Sequence, residues 1–212
     1  MGKIYRADPV KAVRGQGFIT ILHGYLISEL RRRLSPEAHR RGITVRPEVT
    51  ILGSHKPKDV DLAVMHPDNG PLVMIGVRSQ MSSVGKNALN YYEGIVGECI
   101  SIQDRFPMST IGYVYLMPLK PIKLGREKET IDHRRYARMY DAVTGRTGQD
   151  YKNIRGVYDE FAYMVVDFTT HPPELADHVY KGAVDHDLSI STFADRLVAT
   201  FKARMLFWDI FL

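Results

Sequence analysis

The chain has 212 residues, 44% of them apolar, with 29 Lys and Arg against 24 Asp and Glu, a formal net charge of +5 and a single cysteine, Cys99. A chain of this length buries roughly 70% of the surface its unfolded form exposes, so a single domain over residues 1–212 with one core is expected, and no metal or disulfide staple is needed. The lone Cys99 excludes an internal disulfide and a cysteine-type zinc site; with no apolar run near the roughly 18 residues of a membrane span and no signal-peptide pattern at the start, a cytoplasmic protein without a membrane partner is expected.

In chain order, the spacing of Phe18, Ile21, Leu22, Tyr25, Leu26 and Leu30 predicts a helix from residue 17 to about 34. Three β-rich segments follow, at 43–52, 59–65 and 72–79. The strong turn Pro67-Asp68-Asn69-Gly70 joins the last two, which reads as a three-stranded meander. Residues 86–104 predict a second helix with Leu89, Tyr92, Val96, Cys99, Ile100 and Gln103 on its apolar side. Residues 109–117 read as a buried strand stopped by Pro118, 130–143 as a helix capped by Thr130, 161–168 as a late strand and 191–211 as a closing helix. Basic residues gather at Arg31, Arg32, Arg33, Arg40 and Arg41. They gather again over 120–155, where Lys123, Arg126, Lys128, Arg134, Arg135, Arg138, Arg146 and Lys152 fall close together and suggest a polyanionic partner.

The chemistry concentrates on the hairpin. Asp59, Asp61 and Ala63 share one face of their strand, and Leu72, Met74, Gly76, Arg78 and Gln80 share one face of the next. Asp61 is therefore expected near residues 76–78, a carboxylate beside a fixed cation, which suits phosphate chemistry.

The stretch KPKDVDLAV, the turn, LVMIGVRSQMSSVGKN and the helix after it resemble the PD-(D/E)XK nucleases, and within them the type II restriction endonucleases. The resemblance implies an α/β fold (an α+β mixed sheet). Its restriction-endonuclease-like core of helix, three-strand meander, helix and strand covers about 17–117, with a mixed C-terminal tail over 118–212. The family motif sets an Asp at the end of one strand and Glu-x-Lys on the next; the two carboxylates hold Mg2+ and the Lys assists the attacking water. Here Asp61 matches the Asp, while Gly76 stands in the Glu position and Arg78 in the Lys position. Mg2+ often takes only one or two carboxylates and completes its shell with water and carbonyls. The implied metal site is thus Asp61, the Val77 carbonyl and an acid from elsewhere, with Glu48, Glu29 and Glu93 as candidates. Glu93 leads, because Lys86, Asn90, Glu93 and Gly97 form one helix face and some members of the family carry the second carboxylate on that helix.

Arg78 stays protonated and cannot take a proton from water, but a guanidinium binds phosphate oxygens. Ser79, Gln80, Ser82, Ser83, Lys86 and Asn87, leading into a helix N-terminus, form the expected grip on a DNA backbone. The resemblance implies double-stranded DNA as partner, a homodimer, Mg2+ as cofactor, and hydrolysis of DNA phosphodiesters that is weakened or lost. The other reading is a catalytically inactive DNA-binding descendant. On this alignment the double change Gly76→Glu, Arg78→Lys is expected to raise Mg2+-dependent cleavage without unfolding the protein.

Overall fold

The computed structural model describes Ala7 and residues 17–81, 84–120, 130–146 and 158–212. Helix α1 (Gly17–Arg31) is followed by a short α2 (Pro36–Arg40), then β1 (Thr44–Leu52), β2 (Pro57–His66), β3 (Gly70–Ser79), α3 (Val84–Arg105) and β4 (Thr110–Pro118). After these come α4 (His133–Asp141), β5 (Glu160–Asp167), a two-residue β6 (Glu174–Leu175) and α5 (Ile190–Arg204). The six strands lie side by side in chain order. The β1, β2 and β3 strands form the antiparallel meander, β4 and β5 add parallel to β3, and β6 closes the edge antiparallel. The fold is mixed α/β, as the sequence leads one to expect.

The two faces of the sheet carry separate apolar clusters. On one, Phe18, Leu22, Leu26 and Leu30 of α1, spaced by four, pack with Phe193, Leu197 and Phe201 of α5 over Leu62, Val64, Ile75, Val114 and Leu116. On the other, Ala88, Ile95, Cys99 and Ile102 of α3 and Tyr136, Ala137 and Tyr140 of α4 cover Ala63, Met74, Tyr113, Tyr115, Phe161 and Tyr163. All nine positions of β4 are buried, as a central strand covered on both faces requires. Gly112 on β4 lets α5 press close, since a Cβ there would lie 2.7 Å from the Phe193 ring. No helix among the described residues is long and apolar enough to cross a membrane.

Several expectations shift in detail. The α4 helix is capped by Asp132, whose side chain accepts the Arg135 N–H, rather than by Thr130. The closing helix ends at Arg204, and Trp208 folds back as irregular chain against the core instead of extending the helix to 211. Helix α3 turns Val84, Ala88, Ile95, Cys99 and Ile102 to the sheet and leaves Leu89 and Ile100 exposed, so the apolar side read from the sequence is rotated from the true one. The basic cluster over 31–41 is largely neutralised: Arg32 and Arg33 pair with Glu29, and Arg40 and Arg41 with Glu37.

Candidate functional site

The site lies where β2 and β3 part. Their pairing ends at Leu62 and Ile75. One residue further along β2, the Asp61 side chain takes over the bond that the ladder no longer makes: the Val77 N–H donates to Asp61 Oδ2 at 2.7 Å. Asp61 thus meets residues 76–78 through a backbone amide, and the contact of its carboxylate with the Arg78 cation that the sequence suggests is not made. Both helical layers reach this fork. From α1, His23 Nε2 stands 3.4 Å from Asp61 Oδ1. Burial raises the Asp61 pKa above its ordinary value, against the lowering pull of the Val77 N–H, His23 and Arg78.

Arg78 follows on the α3 side of β3. Its Nε donates to the Tyr113 hydroxyl at 3.2 Å, and its guanidinium carbon lies 4.5 Å from the centre of the Tyr91 ring. Among the described residues no carboxylate lies within ion-pair distance of it. The Tyr113 phenol is pushed up to about 12 by burial, with Arg78 opposing, so it is a neutral hydroxyl at any physiological pH.

Gly76 pairs with Tyr113 across the parallel β3–β4 ladder. A Cβ on Gly76 would fall 2.4 Å from Tyr113 Cε2 and 2.5 Å from Cδ2. The Tyr113 ring therefore fills the space a motif glutamate would enter. Gly76→Glu, Arg78→Lys, expected from the sequence to leave the protein folded, therefore requires the Tyr113 ring to be displaced.

The acids expected to complete a metal site are placed elsewhere. Glu93 is exposed, about 200° around α3 from the buried Ile95. Glu48 is exposed on β1 at φ 50. Glu29 is held by Arg32 and Arg33 at 2.6 and 2.8 Å. The carboxylate that α3 does turn inward is Glu98. Its pKa is raised, first by burial; Lys58 and Arg78 pull it down and Asp61 adds to the rise, which places all four charges in one electrostatic neighbourhood. Glu98 was missed because its helical phase was misread. Tyr91, Ile95, Glu98 and Ile102 recur at three and four, and that spacing was the available signal. Among the described residues no three His, Cys, Asp or Glu side chains gather closely enough to hold a metal ion. Asp61 and Glu98 remain as the two carboxylates that a largely hydrated Mg2+ could use.

Of the expected backbone grip, Gln80 is a correction. It is buried, and its side-chain oxygen accepts the Tyr115 hydroxyl, so it is a packing residue rather than a surface contact. Ser79 and Asn87 are half-buried. Ser82, Ser83 and the Lys86 side chain lie outside the described residues, as do Lys123, Arg126, Lys128 and Lys152. Arg134, Arg135 and Arg138 form an exposed row on α4, in the layer that also carries Tyr91 and Glu98. Arg146 is used internally, on Asp159.

Glu98 carries a pH prediction. A raised folded-state pKa means that its contribution to stability is fully present below the ordinary glutamate value of about 4.3 and is lost as pH rises through the folded-state value. Glu98→Gln removes the burial of this charge. It is therefore expected to raise the melting temperature at neutral pH, with the gain fading as the solution is acidified below that ordinary value. Thermal unfolding across this range checks it, and a constant difference at all pH values would assign Glu98 no such role.

The chain matches no protein-family model, no curated protein and no solved structure.

Proposed function

We propose that the protein binds double-stranded DNA through its phosphate backbone, on a restriction-endonuclease-like domain whose metal-dependent hydrolysis is weakened or lost. The observation that carries this is Arg78: a half-buried guanidinium at the strand fork, held by a phenol and an aromatic face and, among the described residues, by no carboxylate. Asp61 and Glu98 act on Arg78 from a distance without bonding to it, so its terminal N–H groups stay free for charge-assisted bonds to an anionic ligand. The element order helix, meander, helix, parallel strand supports the restriction-endonuclease-like reading, as does the meeting of Asp61 with the strand that carries Arg78. The exposed Arg134, Arg135 and Arg138 supply further positive charge.

Where Mg2+ takes part, Asp61 and the Val77 carbonyl would hold it, with Glu98 as a second carboxylate, and the ion would neutralise charge on the phosphate. Arg78 binds a phosphate oxygen and stabilises charge but accepts no proton, so the proton-transfer part of hydrolysis has no lysine at this position. The domain acts as a homodimer on duplex DNA in this reading, since two-fold DNA suits a two-fold protein.

Binding of this kind is strongly salt-dependent. Six phosphate contacts cost roughly three decades of affinity between about 50 and 200 mM salt. An anisotropy titration of labelled duplex over that range tests the reading, and an affinity flat with salt contradicts it. In parallel, supercoiled-plasmid nicking with Mg2+ and with EDTA is expected to show little or no metal-dependent cleavage. Any that is present should vanish in Asp61→Ala while binding is largely kept.

A further inference from the structure

Tyr113 does more at this site than cover a glycine. A strand glycine is commonly masked by an aromatic ring on the neighbouring strand, and Phe would mask Gly76 as well as Tyr does. The hydroxyl is the part that packing does not require, and it accepts the Arg78 Nε–H at 3.2 Å. Tyr91 of α3 closes the other side, 4.5 Å from the guanidinium carbon. With Nε and one face engaged, the two terminal nitrogens of Arg78 are left without a protein partner among the described residues.

We infer that Tyr113 is the positioning residue of an anion receptor: its ring takes the volume of the absent strand carboxylate, and its hydroxyl, with the Tyr91 face, fixes Arg78 so that both terminal nitrogens meet the oxygens of a DNA phosphodiester without a metal ion. This rests on the phosphate-binding reading above and says how that site grips its ligand. A guanidinium held at Nε loses little freedom on binding, and a bidentate contact to phosphate uses the two remaining N–H pairs. The same ring excludes an acidic side chain at residue 76 that would repel the phosphate. Metal ligation and anion reception thus compete for one volume, and in this chain Tyr113 occupies it.

The experiment is a titration of fluorescein-labelled duplex DNA in EDTA at low salt, with the full chain and the variants Arg78→Ala, Tyr113→Phe, Tyr91→Leu and the double variant Arg78→Ala, Tyr113→Phe. Tyr113→Phe keeps the ring over Gly76 and removes only the acceptor. It is expected to weaken binding about tenfold, the value of one hydrogen bond to a charged group. In the Arg78→Ala background the same change is expected to do nothing more, because the group it positions is gone. Tyr91→Leu, on a half-exposed residue where folding is not at stake, is expected to cost about threefold. If Arg78→Ala leaves the affinity unchanged, the phosphate-binding reading itself fails. If Arg78→Ala weakens binding and Tyr113→Phe does not, only the positioning role is overturned. An equal loss from Tyr113→Phe with and without Arg78 also overturns it, since that is what a general packing effect gives.

Discussion

Replacing Asp159 by Ala is expected to destabilise the protein by about 3–5 kcal/mol, the usual cost of removing one partner from a buried ionic network. Asp159 stands just before β5 with a fully buried side chain. One oxygen accepts the Ile111 N–H at 2.7 Å, and both oxygens are forked by Arg146 at 3.0 Å. Arg204, the last residue of α5, adds a bond from Nη1 at 3.1 Å and a second from Nη2. Both arginines also donate to the Ser109 carbonyl at the entry to β4. One carboxylate therefore ties the starts of two parallel strands to the end of the closing helix. Removing it strands two guanidinium groups and a backbone amide at once. Asp159→Asn keeps an acceptor and loses the charge, so it should fall between. Urea unfolding followed by circular dichroism measures both, and a loss under about 1 kcal/mol for the Ala variant would show that the network contributes little to the fold.

Gly76→Glu is expected to be nearly as damaging, for a steric reason. The new Cβ would enter the Tyr113 ring at 2.4 Å, and that ring has little room to move. Tyr113 is 3% exposed, stacks on Phe161 at 5.7 Å and tilts against Tyr158 at 5.4 Å. Overpacking alone costs about 1–3 kcal/mol, and a carboxylate forced in beside Tyr113 adds a desolvation cost. Gly76→Ala should lose the steric part and Gly76→Glu more. Adding Tyr113→Ala to Gly76→Glu should recover part of the loss by reopening the volume. Melting temperatures of the three variants test this; a Gly76→Glu protein as stable as the parent would mean that the ring swings aside.

How far the sequence reached can be traced to the range of the signals involved. The meander was legible because the strands are β-rich and the turn at 67–70 is chemically explicit. Alternation then set Gly76 and Arg78 on one face. The ring of Tyr113 over Gly76 was not legible, since it depends on the register of two parallel strands joined through a whole helix. Glu98 was hidden by a phase error: α3 carries two apolar rows, and the exposed one holds Leu89 and Ile100, side chains as apolar as the Ile95 and Ile102 of the buried one. The Arg146–Asp159–Arg204 network spans sequence distances that no local pattern encodes. The pairing of Arg32, Arg33, Arg40 and Arg41 with Glu29 and Glu37, by contrast, is at i, i+3 and i, i+4 spacing, a pattern that the sequence carries locally. The closing helix was overextended because no glycine or proline marks its end at Arg204, and the apolar Met205 and Trp208 continue to pack after it stops.

The most direct test of the central claim is equilibrium binding of labelled duplex DNA in EDTA by the parent chain and by Arg78→Ala at one low salt concentration. Clear binding by the parent without any divalent metal is expected, with a loss of at least about tenfold in the variant. Failure of the parent to bind in EDTA, or equal affinity of the two proteins, would contradict it.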